Sequence, residues 1–277
     1  MAILLRIWRV LRATGYQISE QNLGLIAAGV AFFGMLAVFP GLAAIIAIWG
    51  LAADPAVIDS QLDLMRGIVP GDVFALFDAQ MTTLTSAGTQ TLGWATVISI
   101  LLALWSARAG VGALILGLNS AHERAHRGSL AHYGLALLLT LALVSVALVA
   151  ALAVVIAPVL LALFPLGAAT AQLVEWVRWS SAISVLLFGL GLVYRYGPNH
   201  DGPRVAWVTP GSVLAVVLWA TGSAGLSFYL SNFGNYNEVY GSIGAAIALL
   251  VWLYLSAYLI LAGAVLNAQI ALGRARR

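Results

Sequence analysis

Two long apolar runs, 205–230 and 242–271, flank the short polar stretch SNFGNYNEVY at 231–240. Each run exceeds the roughly 20 residues that carry an α-helix across a bilayer core, and each is far longer than the ~9–11 of a membrane-crossing strand. A backbone in lipid must satisfy its own hydrogen bonds, so runs of this length are helices. The connection is too short to hold a domain. The pair therefore reads as a transmembrane hairpin, and the same pattern recurs upstream at 23–53, 92–118, 134–164 and 176–194. The expected fold is all-α: a polytopic membrane bundle of six transmembrane helices forming a single integral membrane domain over residues 1–277.

Composition agrees. Residues are 62% hydrophobic and 8% charged, against about 25% charged in soluble domains. A net charge of +3 then speaks of topology rather than of nucleic acid, and no nucleic-acid partner is expected. All 13 basic residues are Arg. The absence of Cys excludes disulfides, thiolate nucleophiles and Cys-ligated zinc. With six crossings, the side holding both termini carries ten arginines outside the spans, and the other side carries Arg66 and Arg178. Acidic residues run the opposite way, three against seven. The positive-inside rule places both termini in the cytoplasm.

Local patterns add detail. Ile3, Leu4, Ile7, Trp8 and Leu11 share one helical face while Arg6, Arg9 and Arg12 lie elsewhere, as in a helix lying in the membrane interface. Pro40-Gly41 sits near the middle of the first span and predicts a kink or a helix break there. The aspartate-rich stretch 54–91 predicts two short amphipathic helices on the outer face. Ala27, Ala28, Gly29, Ala31 and Gly34 form a small-residue stripe that admits a neighbouring helix. Expected partners are membrane lipids, a second copy of the chain, and a small-molecule or lipid ligand of unknown identity. No cofactor is expected.

Few residues carry chemistry. Arg108 is the one formal charge well inside a span, where a cation costs at least ~2.5 kcal/mol on insertion scales. It reads either as an anion or lipid-headgroup site or as a structural Arg reaching the interface. Asn119, Tyr194 and Asn267, near the cytoplasmic ends of their spans, join Arg108 as the expected substrate pathway. The strings 101–121 and 249–269 echo one another loosely, which raises a parallel internal repeat. Asn235, Tyr236, Glu238 and Tyr240 offer contacts in the outer hairpin loop, or an aromatic belt with turn-forming Asn. His122, Glu123 and His126 spell H-E-x-x-H, which on a helix would place two zinc ligands and a base on one face. Gly128 follows closely, a third ligand is not evident, and no metal site is expected. No Walker motif or nucleophile elbow is present, and ribonuclease chemistry has no supporting residues.

Several strings resemble a known family. These are Ala31-Phe32-Phe33 with Phe39-Pro40, Trp105-Ser106-Ala107 with Leu118-Asn119, and Tyr194-Arg195-Tyr196-Gly197-Pro198. Pro210-Gly211, Trp219, Phe228-Tyr229-Leu230 and Tyr240-Gly241-Ser242 continue the series, followed by Trp252 to Ala257 and by Gly263-Ala264 with Leu266-Asn267-Ala268. In order and spacing they resemble the YihY/virulence factor BrkB family across nearly the whole chain. The resemblance implies a bacterial inner-membrane protein with a transport or lipid-handling role and no ribonuclease activity. A non-catalytic membrane scaffold or envelope factor is the alternative, and an H-E-x-x-H membrane metalloprotease a remote one. The resemblance also implies a Glu in the last span where this chain has Val265.

Overall fold

The computed structural model describes residues 2–52, 89–125, 127–162, 168–199, 205–232 and 236–275. Among these residues there are seven helices and no strand. They are α1 (Ala2–Glu20), α2 (Leu23–Ala52), α3 (Thr89–Ala121), α4 (Ser129–Ala162), α5 (Ala168–Tyr196), α6 (Pro210–Asn232) and α7 (Tyr236–Ala275). Five contain segments long and apolar enough to cross a membrane: Leu23–Ala44, Thr96–Ala121, Ser129–Ala150, Pro210–Tyr229 and Gly244–Gly273. The fourth expected span, 176–194, falls inside α5, which has 29 residues but is not among the five. The outer-face helices expected at 54–91 fall almost wholly on residues 53–88, outside the described residues.

The chain divides into two compact units, 1–32 with 108–277, and 33–107. In the first unit, α6 packs along α7, and α1 also lies against α7. The α6–α7 seam is zipped by reciprocal Trp–Ser pairs. Trp219 Nε1 donates to Ser256 Oγ at 2.9 Å, and Trp252 Nε1 donates to Ser223 Oγ at 3.1 Å. The two indoles meet edge to face at 5.8 Å. Each indole N–H would otherwise be an unpaired donor in an apolar setting. The largest core cluster draws Leu23 and Ala27 from α2, Leu114, Leu118 and Ala121 from α3, Val193 and Tyr194 from α5, and Ala257, Leu261, Ala264 and Val265 from α7. Outward, Leu25, Leu130 and Leu138 are 76%, 89% and 66% exposed. Such exposure suits lipid as the solvent, not water.

Two expectations change. In the second unit α2 runs unbroken through Pro40, so there is no helix break at Pro40-Gly41. Proline removes one hydrogen bond, to the Leu36 carbonyl, yet the apolar sequence on both sides still favours helix, as membrane helices allow. A Cβ added at Gly41 would meet open space, so that glycine serves no close approach. The other change is at α6, which begins at Pro210 rather than at Val205. Thr209 N donates to Ser212 Oγ at 2.9 Å, and Ser212 N donates to Thr209 Oγ1 at 3.1 Å. This is a reciprocal N-terminal cap with Pro in the first helical turn. It also separates Pro210-Gly211, at a helix start, from Pro40-Gly41, inside one, so the Pro-Gly pairs do not support the internal repeat.

At the N-terminus α1 runs on to Glu20. It hands over to α2 through Gln21 and Asn22, with Asn22 at φ 50°, a left-handed conformation that Asn tolerates.

Candidate functional site

The starts of α2 and α6 and the ends of α3, α5 and α7 meet at one end of the first unit, here called the proximal end. Its polar side chains knit loops to helices. Asn119, fully buried, accepts the Asn199 N–H on Oδ1 at 2.7 Å, while its Nδ2 has no partner. Asn199 Nδ2 donates to the Ala125 carbonyl at 3.2 Å. Arg127 donates to the carbonyls of Gly197 and Pro198, both at 2.6 Å. Partial desolvation lowers its pKa from the ordinary Arg value. Gly197 is needed here, because a Cβ would strike the Val193 carbonyl and Leu118. From α1, Gln17 Nε2 donates to the Ala121 carbonyl at 3.0 Å and Gln17 Oε1 accepts from Gln269 Nε2 at 2.7 Å. One glutamine thus ties α1 to α3 and α7.

Tyr194 and Asn267 converge on the crossing of α5, α6 and α7. The Tyr194 hydroxyl donates to the Ile260 carbonyl at 2.7 Å. Asn267 accepts the Gly211 N–H at 2.8 Å and donates to Thr209 Oγ1 at 2.9 Å. It therefore completes the cap of α6 from a neighbouring helix. Three of the four residues expected along a pathway are thus committed to packing at the proximal end. Gln17, Arg127, Thr209 and Ser212 belong to the same network and were not singled out from the sequence. The string Thr209-Pro210-Gly211-Ser212 held the signal of a capped helix start, whereas Gln17 and Arg127 gave none.

Arg108 stands apart. Its guanidinium carbon lies 3.9 Å from the centroid of the Tyr133 ring, a cation–π distance. Its Nε is shielded from solvent and bonds to nothing, and no carboxylate among the described residues pairs with it. One turn on, a Cβ at Gly112 would sit 3.3 Å from His132 Nε2. The Arg108–Gly112 turn of α3 therefore faces the beginning of α4. Of two cavities in the first unit, one of about 470 Å³ is lined by Trp176, Ser180, Ser181, Ser184 and Val185. The other, of about 80 Å³, lies between α5, α6 and α7 around Leu190, Ala215 and Trp219. Neither reaches Arg108.

The H-E-x-x-H string does not form the face its motif needs. α3 ends at Ala121, His122–Glu123 form a turn, and Glu123 takes φ 51°. His122 Nδ1 lies 2.9 Å from the Leu118 carbonyl. His126 lies outside the described residues. Among those residues no group of three metal-ligating side chains comes together. Of the outer-loop candidates, Asn235 lies outside the described residues. Tyr236, Glu238 and Tyr240 are placed by their backbone in the first turns of α7.

A family model described as Virulence factor BrkB matches residues 14–277. A Bacillus subtilis (strain 168) protein named ribonuclease-like protein YfkH is 33% identical over 250 residues, 87% of this chain and 88% of that one. A UPF0761 membrane protein of Xanthomonas campestris pv. campestris (strain B100) is 42% identical over 73 residues, 26% of this chain and 17% of its own length. One from Xanthomonas oryzae pv. oryzae (strain PXO99A) is 35% identical over 99 residues, covering 36% and 23%. No solved structure matches. The ribonuclease-like wording belongs to the Bacillus protein's name and establishes no catalytic role here.

Proposed function

The chain belongs to the virulence factor BrkB family, whose relatives include membrane proteins, and on that premise we propose that it handles phospholipid in the bacterial inner membrane. In this reading α5 is the sixth crossing and both termini are cytoplasmic, as the arginine distribution requires. The observation that carries it is Arg108, a cation within an apolar helix that meets an aromatic ring and, among the described residues, no acid. At the first unit's proximal end, Tyr194, Asn267, Gln17 and Arg127 are bonded to neighbouring helices and loops, so they hold the packing there.

The test is movement of lipid. Purified protein is reconstituted into liposomes carrying a fluorescent phospholipid, and a membrane-impermeant quencher reads the rate at which label crosses. Wild-type protein should exceed protein-free liposomes, and Arg108→Gln should fall towards them. A wild-type rate equal to that of empty liposomes would remove the lipid-moving role. The reading that would then stand is a membrane scaffold, which the extensive backbone-directed hydrogen bonding of the proximal end favours.

A further inference from the structure

We infer that Arg108 and Tyr133 form a binding site for the phosphodiester of an anionic phospholipid, entered sideways from the leaflet nearer the proximal end. The site rests on the lipid-handling reading for its biological use, but its binding is a separate property of these residues.

The first argument is charge. A half-buried guanidinium without a carboxylate calls for an anion, and planar Arg matches a phosphate with two parallel donors. Tyr133 covers one face of the guanidinium, which fixes its plane and leaves its edge as the binding element. The Nε proton, already stripped of water and unpaired, is a donor awaiting an acceptor. A zwitterionic headgroup would bring an ammonium that finds no acid here among the described residues, so the anionic class is favoured.

The second argument is depth. Arg108 lies thirteen residues before the end of α3 at Ala121, about 20 Å along its axis. Yet its partner Tyr133 is the fifth residue of α4, only about 6 Å from the start of that helix. The apolar segment of α4 itself begins at Ser129. Arg108 therefore delivers its charge to the level where a crossing helix begins, which is where lipid phosphates lie.

The third argument is the surface beside it. Leu130, Tyr133, Leu137 and Leu141 follow one another at helical spacing on α4 and are all exposed, and Val144 and Leu148 continue the row. The adjoining side of α4, with Ala136 and Leu139, is buried with Ile115. The exposed row leads from the Arg108–Tyr133 pair away from the start of α4, along the direction an acyl chain takes from its headgroup into the bilayer. Neither of the two cavities described above reaches the pair, and the exposed row beside it offers a lateral approach.

The experiment is lipid retention by delipidated wild-type protein, read by native mass spectrometry after incubation with phosphatidylglycerol or with phosphatidylethanolamine. The expected result is a retained phosphatidylglycerol adduct, with phosphatidylethanolamine bound about tenfold more weakly. Arg108→Gln should lose that preference, and Arg108→Lys should keep charge but bind less tightly. Equal binding of both lipids by wild-type protein, or an unchanged preference in folded Arg108→Gln, overturns the site. Displacement of the lipid by inorganic phosphate overturns its assignment to a lipid. Should Arg108→Gln not fold, Tyr133→Leu decides, because unaltered preference without the ring contradicts the proposed geometry. Selective binding with no lipid movement in liposomes would uphold the site and refute the moving role. Movement without selective binding would do the reverse.

Discussion

The crossing of α6 and α7 at Gly211 and Gly263 makes a quantitative demand. A methyl group at Gly263 would lie 2.5 Å from the Gly211 carbonyl oxygen and 2.5 Å from the Tyr194 hydroxyl, with Ala215 Cβ at 3.2 Å. A methyl at Gly211 would strike the Gly263 carbonyl and sit 2.6 Å from Asn267 Oδ1. Carbon–oxygen contact needs about 3.3 Å or more, so the helices would have to separate by roughly 1 Å. Separation of α6 from α7 stretches the Gly211–Asn267 bond, and a methyl at Gly263 also pushes the Tyr194 hydroxyl off the Ile260 carbonyl. Overpacking alone costs about 1–3 kcal/mol, and each interhelical bond weakened adds ~0.6 kcal/mol in a membrane protein. Gly263→Ala and Gly211→Ala should therefore each destabilise by about 2–4 kcal/mol. Gly225, on the same α6, is an internal control, since nothing lies within 4 Å of a Cβ there. Gly225→Ala should be neutral or stabilise by up to about 1 kcal/mol through backbone entropy. The assay is reversible unfolding in mixed micelles or thermal unfolding in nanodiscs for all three variants. If Gly211→Ala and Gly225→Ala unfold alike, the close crossing is not a feature of the folded protein.

Other consequences are simpler. Arg127→Gln removes two charge-assisted bonds to Gly197 and Pro198 and should cost about 1–2 kcal/mol, read in the same unfolding assay, with faster proteolysis in the 197–209 segment. Trp252→Phe and Ser223→Ala each break the same bond, so a double-mutant cycle should return a coupling of about 0.6–1.7 kcal/mol. Additive effects would mean the pair does not bond. Tyr194→Phe loses only a hydroxyl bonded to a helix carbonyl and should cost about 1 kcal/mol, far less than Gly263→Ala beside it. Pro40→Ala restores the hydrogen bond to Leu36 inside a continuous helix, so stability should be unchanged or higher. A large loss would assign Pro40 a packing role not visible in α2.

The helices were legible because lipid leaves the backbone few options, so a run of apolar residues translates directly into α-structure. Their ends were less so. Val205–Val208 is as apolar as a helix, yet Trp207 leaves the helix to stack on Phe188 at 5.2 Å and to meet Tyr196 edge-on. Gly191 accommodates it, since a Cβ there would hit the Trp207 carbonyl oxygen at 2.8 Å. No local pattern at 205–209 announces a partner on α5. The polar residues Asn119, Tyr194 and Asn267 stand out in the sequence against their apolar setting. Their roles depend on backbone groups distant in sequence, such as Asn267 bonding to Gly211 through a glycine crossing, and periodicity carries no such information. Pro40 shows the converse error, where a local rule was outweighed by the helix around it.

Position 265 then bears on where polar chemistry in this chain can reside. The family resemblance implies a carboxylate there, but Val265 is fully buried among Leu118, Ala121, Tyr194 and Leu261. An acid in that cluster would need a partner to offset desolvation, and the nearby polar groups are largely spent: Tyr194 on Ile260, Asn267 on the α6 cap. Val265→Glu should therefore destabilise by up to the about 2.5–3.5 kcal/mol that an acid costs at the centre of a membrane helix. Val265→Leu, one methylene larger, should cost about 1–3 kcal/mol by overpacking, and Val265→Ala about as much through a cavity. The discriminating variant is Val265→Thr, close in volume to valine with a hydroxyl added. If the cluster is dry and closed, it costs about 1–3 kcal/mol. If Val265→Thr and Val265→Glu both unfold like wild type, water or a cation already reaches this point. The carboxylate position would then be a live part of the protein's chemistry, and Arg108 would no longer be the sole charge around which a lipid site must be built.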